Sequence, residues 1–385
     1  MQFRHVHIVD TTLRDGEQAP GVAFSFAQRR RLLESLIYIG VPEIECGCPA
    51  MGADEETALR RLLAYGDTCV RMTAWCRACE NDLMAARRCG FQSVHFSFVF
   101  SPVLLAVQRK DFASQLQNMQ SLLKRALNQF AFVSVGLQDA SRTDAAMLVR
   151  AVQTAVSAGA HRIRLADTIG IWSPHEVVTC MESIRPLVPA GIKLGVHMHN
   201  DYGMATANTL VAAQQGADDV DVTIMGLGER SGNAPLEQVV MAFDRASGFE
   251  HGVDTTMLYD LCIQAARYAK RAIPVQQPVC GSAIFRHESG IHAAGQLRNR
   301  ASYEPYPPEE VGRPDIVDIP IGRHSGTQSL QHAFRIMGIA LSKTDALLLL
   351  PHVRTESVRR KGSVPHGVLG QLYVNICKEQ KEEKR

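Results

Sequence analysis

From residue 5 to about residue 247, short runs of β-branched and aromatic residues alternate with longer stretches in which apolar positions recur every three to four residues. The short runs have the length and composition of buried strands. The longer ones, such as Ala27 to Ile39 and Asp144 to Ser157, carry the one-sided apolar stripe of a helix. Strands are expected near residues 5–10, 42–46, 69–75, 92–99, 131–137, 161–166, 193–199 and 219–225, each followed by an amphipathic stretch. Eight βα units in about 240 residues fit an α/β chain folded as a (β/α)8 TIM barrel, and no Gly-x-Gly-x-x-Gly follows the first strand to suggest a doubly wound sheet. The barrel is expected to occupy residues 1–250.

Past residue 250 the alternation stops. Pro274 to Pro320 is rich in Pro, Gly, His and Tyr, so 251–320 is expected to be a linker and small subdomain, a polar, loop-like arm suited to reach a barrel mouth, its own or a partner's. Ser325 to Lys361 has a helical period with a capping-type start. Residues 321–385 are therefore expected to form a C-terminal helical subdomain, with the charge run Lys378 to Arg385 as a solvated, frayed tail.

Composition narrows the function classes. With 46% hydrophobic residues the chain can bury a large core, and a net charge of +2 gives no field that favours nucleic acid or an anionic membrane. The N-terminus runs straight into a strand pattern and no apolar run is long enough to cross a bilayer, so a cytoplasmic protein is expected. The ten cysteines are scattered, which fits buried thiols in a reducing compartment better than disulfides. Cys76-x-x-Cys79 lacks a second pair to complete a structural zinc site, and Cys46 and Cys48 can as easily face a barrel wall.

The chemistry starts from His197 and His199. Two residues apart in a strand, they point to the same face and can reach one divalent ion from a single rigid element. A lone His-x-His is more often an ordinary pair of strand residues, but this one has company. Asp15 stands in Asp10-Thr-Thr-Leu-Arg-Asp-Gly-Glu-Gln18, and Gly226-Leu-Gly-Glu-Arg-Ser-Gly-Asn233 is a second polar cluster. In a (β/α)8 barrel the residues just past the strand C-termini converge on one face. Asp15, Glu45, Gln138, Asp139, Asp167, Thr168, both histidines and Gly226 to Asn233 all hold such positions. In the arm, His287 and His292 flank a glycine turn, where a histidine is more often a plain surface residue.

With those motifs in view, together with Gly290-Ile-His292, the chain resembles the family of metal-dependent acyl-CoA condensing enzymes that includes 2-isopropylmalate, citramalate and homocitrate synthases. The stretches Leu165-Ala-Asp-Thr-Ile-Gly170, Gly232-Asn-Ala-Pro-Leu-Glu237 and Tyr303-Glu-Pro-Tyr-Pro-Pro-Glu-Glu-Val-Gly312 are most similar to homocitrate synthases of the nitrogen-fixation type, which supply the organic ligand of the nitrogenase iron–molybdenum cofactor. The regulatory domain usual in isopropylmalate synthases is not expected in a chain of this length. The resemblance implies condensation of acetyl-CoA with 2-oxoglutarate and water to give homocitrate and CoA, with isopropylmalate or citramalate synthesis from another 2-oxoacid as the alternative. It also implies a divalent cation (Mg, Mn or Zn) held by Asp15, His197 and His199, with Asn233 as a weaker oxygen ligand. Arg14 would meet the ketone oxygen, Thr168 the substrate carboxylate, and Gln18 and Glu45 the substrate or a ligand. His292 and Tyr303 would serve proton transfer, on an arm swapped between the subunits of a homodimer.

One position departs from the family. Where most members carry a glutamate after strand five, this chain has Gln138, and an amide takes up no proton at neutral pH. That is the one support for a different class of protein, a metal-binding regulator that has lost catalysis. A retro-aldol lyase of the hydroxymethylglutaryl-CoA type would place Gly-Cys-Pro after a late strand, whereas Gly47-Cys-Pro49 follows strand two. No lysine acceptor context suits a biotin-dependent carboxylase. A second carboxylate on the oxoacid would need a partner such as Arg77, Arg109 or His95.

Overall fold

A computed structural model describes residues 4–66, 68–246, 248–314 and 317–383. The chain divides into two compact units, Met1–Ile273 and Pro274–Arg385.

The first unit is built on a closed, all-parallel eight-stranded barrel in sequential order. Its strands are β1 (His7–Asp10), β2 (Glu43–Gly47), β3 (Arg71–Arg77), β4 (Ser93–Val99), β5 (Phe132–Gln138), β6 (Arg162–Asp167), β7 (Lys193–Met198) and β8 (Asp219–Val222). β1 closes the ring on β8, with His7 opposite Asp219 and Asp10 opposite Val222. All eight expected strands are present, within two or three residues of their expected ends. The helices between them have sequence-encoded starts. Ser25 forms a capping box with Gln28 before Phe26–Tyr38, and Asp144 accepts from the backbone N–H groups of Ala146 and Met147 before Ala145–Ser157. Their buried faces, Leu32, Leu33 and Leu36 in one and Leu148, Ala151, Val152 and Ala155 in the other, complete the apolar layer outside the strands.

Inside the ring the filling is ionic. Arg162, fully buried, donates from Nη2 to Glu43 Oε1 (2.6 Å), from Nη1 to Glu43 Oε2 and Asp219 Oδ2 (both 2.9 Å), and from Nε to Ser134 Oγ (3.0 Å). Thr73, Arg71 and His7 complete the shell of Glu43. One same-face step further along the strands, Arg164 donates from Nη1 to Glu45 Oε1 (2.5 Å) and Asp221 Oδ2 (2.8 Å). Charges of this kind are tolerated in a low-dielectric interior only when paired, and here each cation meets two carboxylates.

Two boundaries differ from expectation. The helix Leu258–Ala269 belongs to the first unit, so that unit runs past residue 250 to Ile273. Its apolar face (Leu258, Leu261, Cys262, Ala265) is buried and Ser35 donates to Gln264 from the first barrel helix. The expected division 251–320 is split at Pro274, and its remainder joins 321–385 in one second unit. Its helices Gly290–Arg298, Thr327–Ile336, Lys343–Arg360 and His366–Glu383 share a core of Ala293, Leu330, Phe334, Leu349, Val353 and Leu369. The expected frayed tail is helical through Glu383. Among the described residues no helix is long and apolar enough to cross a membrane.

Candidate active site

The C-terminal rim of the barrel holds a cavity of about 240 Å³ lined by Arg14, Asp15, Gln18, His95, Gln138, Thr168, His197, His199, Glu229 and Arg230, all singled out in the sequence, and by Trp75, Ser97, Gly136, Arg164 and Ala166. Asp15 enters from the turn after β1. His197 lies in β7 and His199 just beyond it. His197 Nε2 stands 3.1 Å from Asp15 Oδ2 and 3.2 Å from His199 Nε2, with the imidazole rings edge to face. All three side chains are buried, and their ligand atoms cluster closely enough for one ion.

Partners around this cluster decide what can fill it. Asp221 Oδ2 lies 2.9 Å from His197 Nδ1, so the Nδ1 proton is donated there and Nε2 is left facing Asp15 and His199. A carboxylate oxygen and two imidazole nitrogens that meet this closely need a cation between them, a metal ion or a proton on His197. Asn233 adds a further oxygen: its Nδ2 donates to Leu227 O (2.9 Å), while its buried Oδ1, like Asp15 Oδ2, has no hydrogen-bond partner. A bridge between His199 and Asn233 sets that amide beside the pair. Gly232 permits this fold-back, because at φ +85° a Cβ would lie only 1.9 Å from Gly226 O. The donor set of one carboxylate, two imidazoles and one amide oxygen fits a divalent cation with positions left open for a ligand.

The charges agree with a site made for a cation. Burial raises the Asp15 carboxyl, but Arg14, with Nη1 at 3.1 Å, and His197 outweigh it and hold it well below the usual carboxylate range. Burial also opposes charge on His197, yet Asp15 and Asp221 push it up to about 9, so a metal ion binding here would displace the proton on Nε2. His199 is pushed down to about 3 by burial and by His197.

Around the cluster, Arg14 is fixed by Glu45, which accepts from Arg14 Nε and Nη2 (both 2.8 Å). Glu45 is fully buried and outside the cavity lining, so it positions Arg14 and Arg164 and does not itself face the cavity. Thr168 Oγ1 accepts from the backbone N–H of Asp139 (2.8 Å), which leaves its own hydrogen to donate. Asp139 is tied to Ser101 and Arg142. Of the three residues named for a second carboxylate, only His95 lines the cavity. Arg77 is bound to Asp82 with its side chain 66% exposed, and Arg109 is the left-handed residue that ends the helix Pro102–Gln108. In the second unit the His292 and Tyr303 rings stack at 4.1 Å, with His287 5.9 Å from His292. Sequence reasoning missed Asp221, Arg164, Ser97 and Gly136. The available signal was the pair of charges two residues apart in each of β2, β6 and β8.

Because Asp221 sets the tautomer of His197, Asp221→Asn is expected to weaken Mn²⁺ binding about 10- to 100-fold, measured by titration calorimetry. Unchanged affinity would assign Asp221 to the ionic interior alone.

A closed parallel barrel whose rim gathers a carboxylate and two histidines around a polar cavity defines a (β/α)8 protein with a candidate metal centre. Residues 5–263 match the HMGL-like family, and residues 279–361 match the homocitrate synthase post-HMGL domain-like family. The chain belongs to the HMGL-like family. It is 38% identical to 2-isopropylmalate synthase 2 of Caldanaerobacter subterraneus, covering 96% of each chain. It is 39% identical to homocitrate synthase 1 of Nostoc sp., covering 98% of each. Its relatives are synthases, and the chain is an enzyme of this class. The HMG-CoA lyase of Brucella melitensis shares the fold, with a TM-score of 0.62 at 21% identity over 69% of this chain and 99% of that one.

Proposed function

We propose that the chain catalyses a metal-dependent Claisen condensation of acetyl-CoA with a 2-oxoacid, with 2-oxoglutarate as the acceptor, and that water then cleaves the thioester to give homocitrate and CoA. The observation that carries this reading is the meeting of Asp15, His197 and His199 in the same cavity as Arg14 and Thr168. When bound, a divalent cation supplies Lewis-acid polarisation of the 2-keto group.

The chain's own residues do the rest. Arg14, locked by Glu45, presents a guanidinium where negative charge develops on the ketone oxygen, and it need not reorganise to do so. Thr168 donates its free hydrogen to the acceptor's 1-carboxylate, and Gln18 contributes from the rim. Proton removal from the thioester methyl falls to His292 with Tyr303, whose stacked rings suit joint action, on a second unit exchanged between the subunits of a homodimer. Homology at similar identity to an isopropylmalate and a homocitrate synthase leaves the acceptor to the cavity's chemistry, and its polar, arginine-bearing lining favours a dicarboxylic one. Supply of the organic ligand of the nitrogenase cofactor is the role proposed for that homocitrate.

The test is thiol release from acetyl-CoA with a panel of 2-oxoacids. Release with 2-oxoglutarate supports the reading; no release with any acceptor leaves a metal-binding protein without this catalysis. Gln138 lines the cavity as an amide, so it can orient a group but not take a proton. Gln138→Glu is accordingly expected to add a carboxylate limb to the pH–rate profile of kcat/KM; an unshifted profile removes this position from the proton path.

A further inference from the structure

Below the Asp15–His197–His199 cluster, the cavity floor contains an arginine with three of its five N–H donors unused. Arg164 is 2% exposed and lines the cavity. Its Nη1 is anchored by Glu45 and Asp221, while Nε and Nη2 are buried with no hydrogen-bond partner. Those two N–H groups form one planar edge of the guanidinium, the edge that matches the two oxygens of a carboxylate. A buried donor left unmade costs on the order of 1–3 kcal/mol, more when charged, so two on one edge indicate a missing acceptor.

The surroundings are shaped for it. Gly136 sits opposite Arg164 in the β5–β6 ladder, and a Cβ there would come within 2.6 Å of His95 Nε2 and 2.7 Å of Ser97 Oγ. Glycine therefore lets His95 and Ser97 pack against the backbone of β5 next to Arg164. His95 is buried, with Nδ1 2.8 Å from Ser134 Oγ and Nε2 3.2 Å from Ser97 Oγ. Ser134 already accepts from Arg162, so the relay in which Ser134 donates to His95 and His95 to Ser97 leaves the Ser97 hydrogen to donate into the cavity. The depth is suitable too. Ala166 is level with His197, and Arg164, two residues back on the same face, lies about 6.6 Å lower. An acceptor chelated at its 1-carboxylate and keto oxygen reaches that level with a terminal carboxylate carried on two methylenes.

We propose that Arg164 and Ser97, on the cavity wall beside Gly136, form the distal-carboxylate subsite that selects a dicarboxylic 2-oxoacid. This rests on the condensation reading above and assigns the residues that discriminate between acceptors.

The experiment is steady-state thiol release by the full chain with Mg²⁺ and acetyl-CoA, using 2-oxoglutarate, 2-oxobutyrate, 2-oxoisovalerate and phosphonopyruvate. The native chain is expected to favour 2-oxoglutarate over 2-oxobutyrate by at least about 100-fold in kcat/KM. Arg164→Met should shrink that ratio to below about 5, chiefly through KM for 2-oxoglutarate. Because Arg164 also holds Glu45 and Asp221, Ser97→Ala provides an independent variant, expected to lower the ratio about 10-fold. Equal losses for all acceptors in both variants would overturn the subsite, as would a native preference for 2-oxobutyrate or 2-oxoisovalerate, either of which keeps the condensation. A preference for phosphonopyruvate would overturn the carboxylate assignment. Absence of thiol release with every acceptor would remove the condensation reading and the subsite together.

Discussion

Asp15→Asn and His199→Ala are each expected to reduce turnover about a thousandfold, because Lewis-acid polarisation contributes several kcal/mol to such a reaction. Each should also abolish the rise in Tm that Mg²⁺ or Mn²⁺ gives the native chain, since a ligand that binds only the folded state stabilises it by mass action. Dialysis against EDTA should reproduce the loss of activity in the native enzyme, and added cation should reverse it. The geometry makes Asp15 the more telling position: its Oδ2 is the one carboxylate oxygen facing both imidazoles, and asparagine keeps the shape while removing the charge. If Asp15→Asn retains both near-native turnover and a metal-dependent Tm, the centre lies elsewhere.

The second large effect concerns stability. Glu43→Gln is expected to cost about 3–5 kcal/mol, because it leaves Arg162 fully buried with one of its two carboxylates gone. For a unit of this size that corresponds to a fall in Tm of roughly 10 °C at pH 7. The pH dependence is a separate signature. Burial raises the Glu43 carboxyl, but the Arg162 guanidinium and the hydrogen bond with His7 more than reverse this and hold it well below its usual value of 4.5. A carboxyl depressed in the folded state contributes stability that is fully present above the unfolded value and lost as pH falls through the folded one. The native protein should therefore lose stability steeply below pH 4.5, and the variant less steeply. Calorimetry across that range decides the matter: a variant within about 2 °C of native at pH 7, or with a parallel acid limb, would show that the interior tolerates an uncompensated Arg162.

Much of this architecture was legible in the sequence. The alternation of apolar runs located all eight strands, and same-face spacing brought His197 and His199 together before any coordinates existed. Asp15 and Thr168 followed from their places just past strand ends. What stayed hidden depended on register. Arg162 and Glu43 stand 119 positions apart, and nothing local says that their charges meet across the ring. The free edge of Arg164 was invisible for the same reason, since it is defined by which atoms the neighbours leave unbonded. The helix Leu258–Ala269 was missed because it breaks the strand–helix rhythm while still serving the first unit. The stacking of Tyr303 on His292 depends on a turn at Arg300–Ser302 that reverses the chain after the helix Gly290–Arg298, a tertiary event that spacing alone does not fix.

Asp221 Oδ2 touches both Arg164 and His197, so a single atom links the ionic scaffold to the proposed metal centre and to the proposed acceptor subsite. Retailoring this enzyme for a new acceptor by exchanging Arg164 would therefore disturb its hold on the ion, and protein engineering should begin instead at Ser97 and Ala166, whose side chains can change without cutting that shared wire.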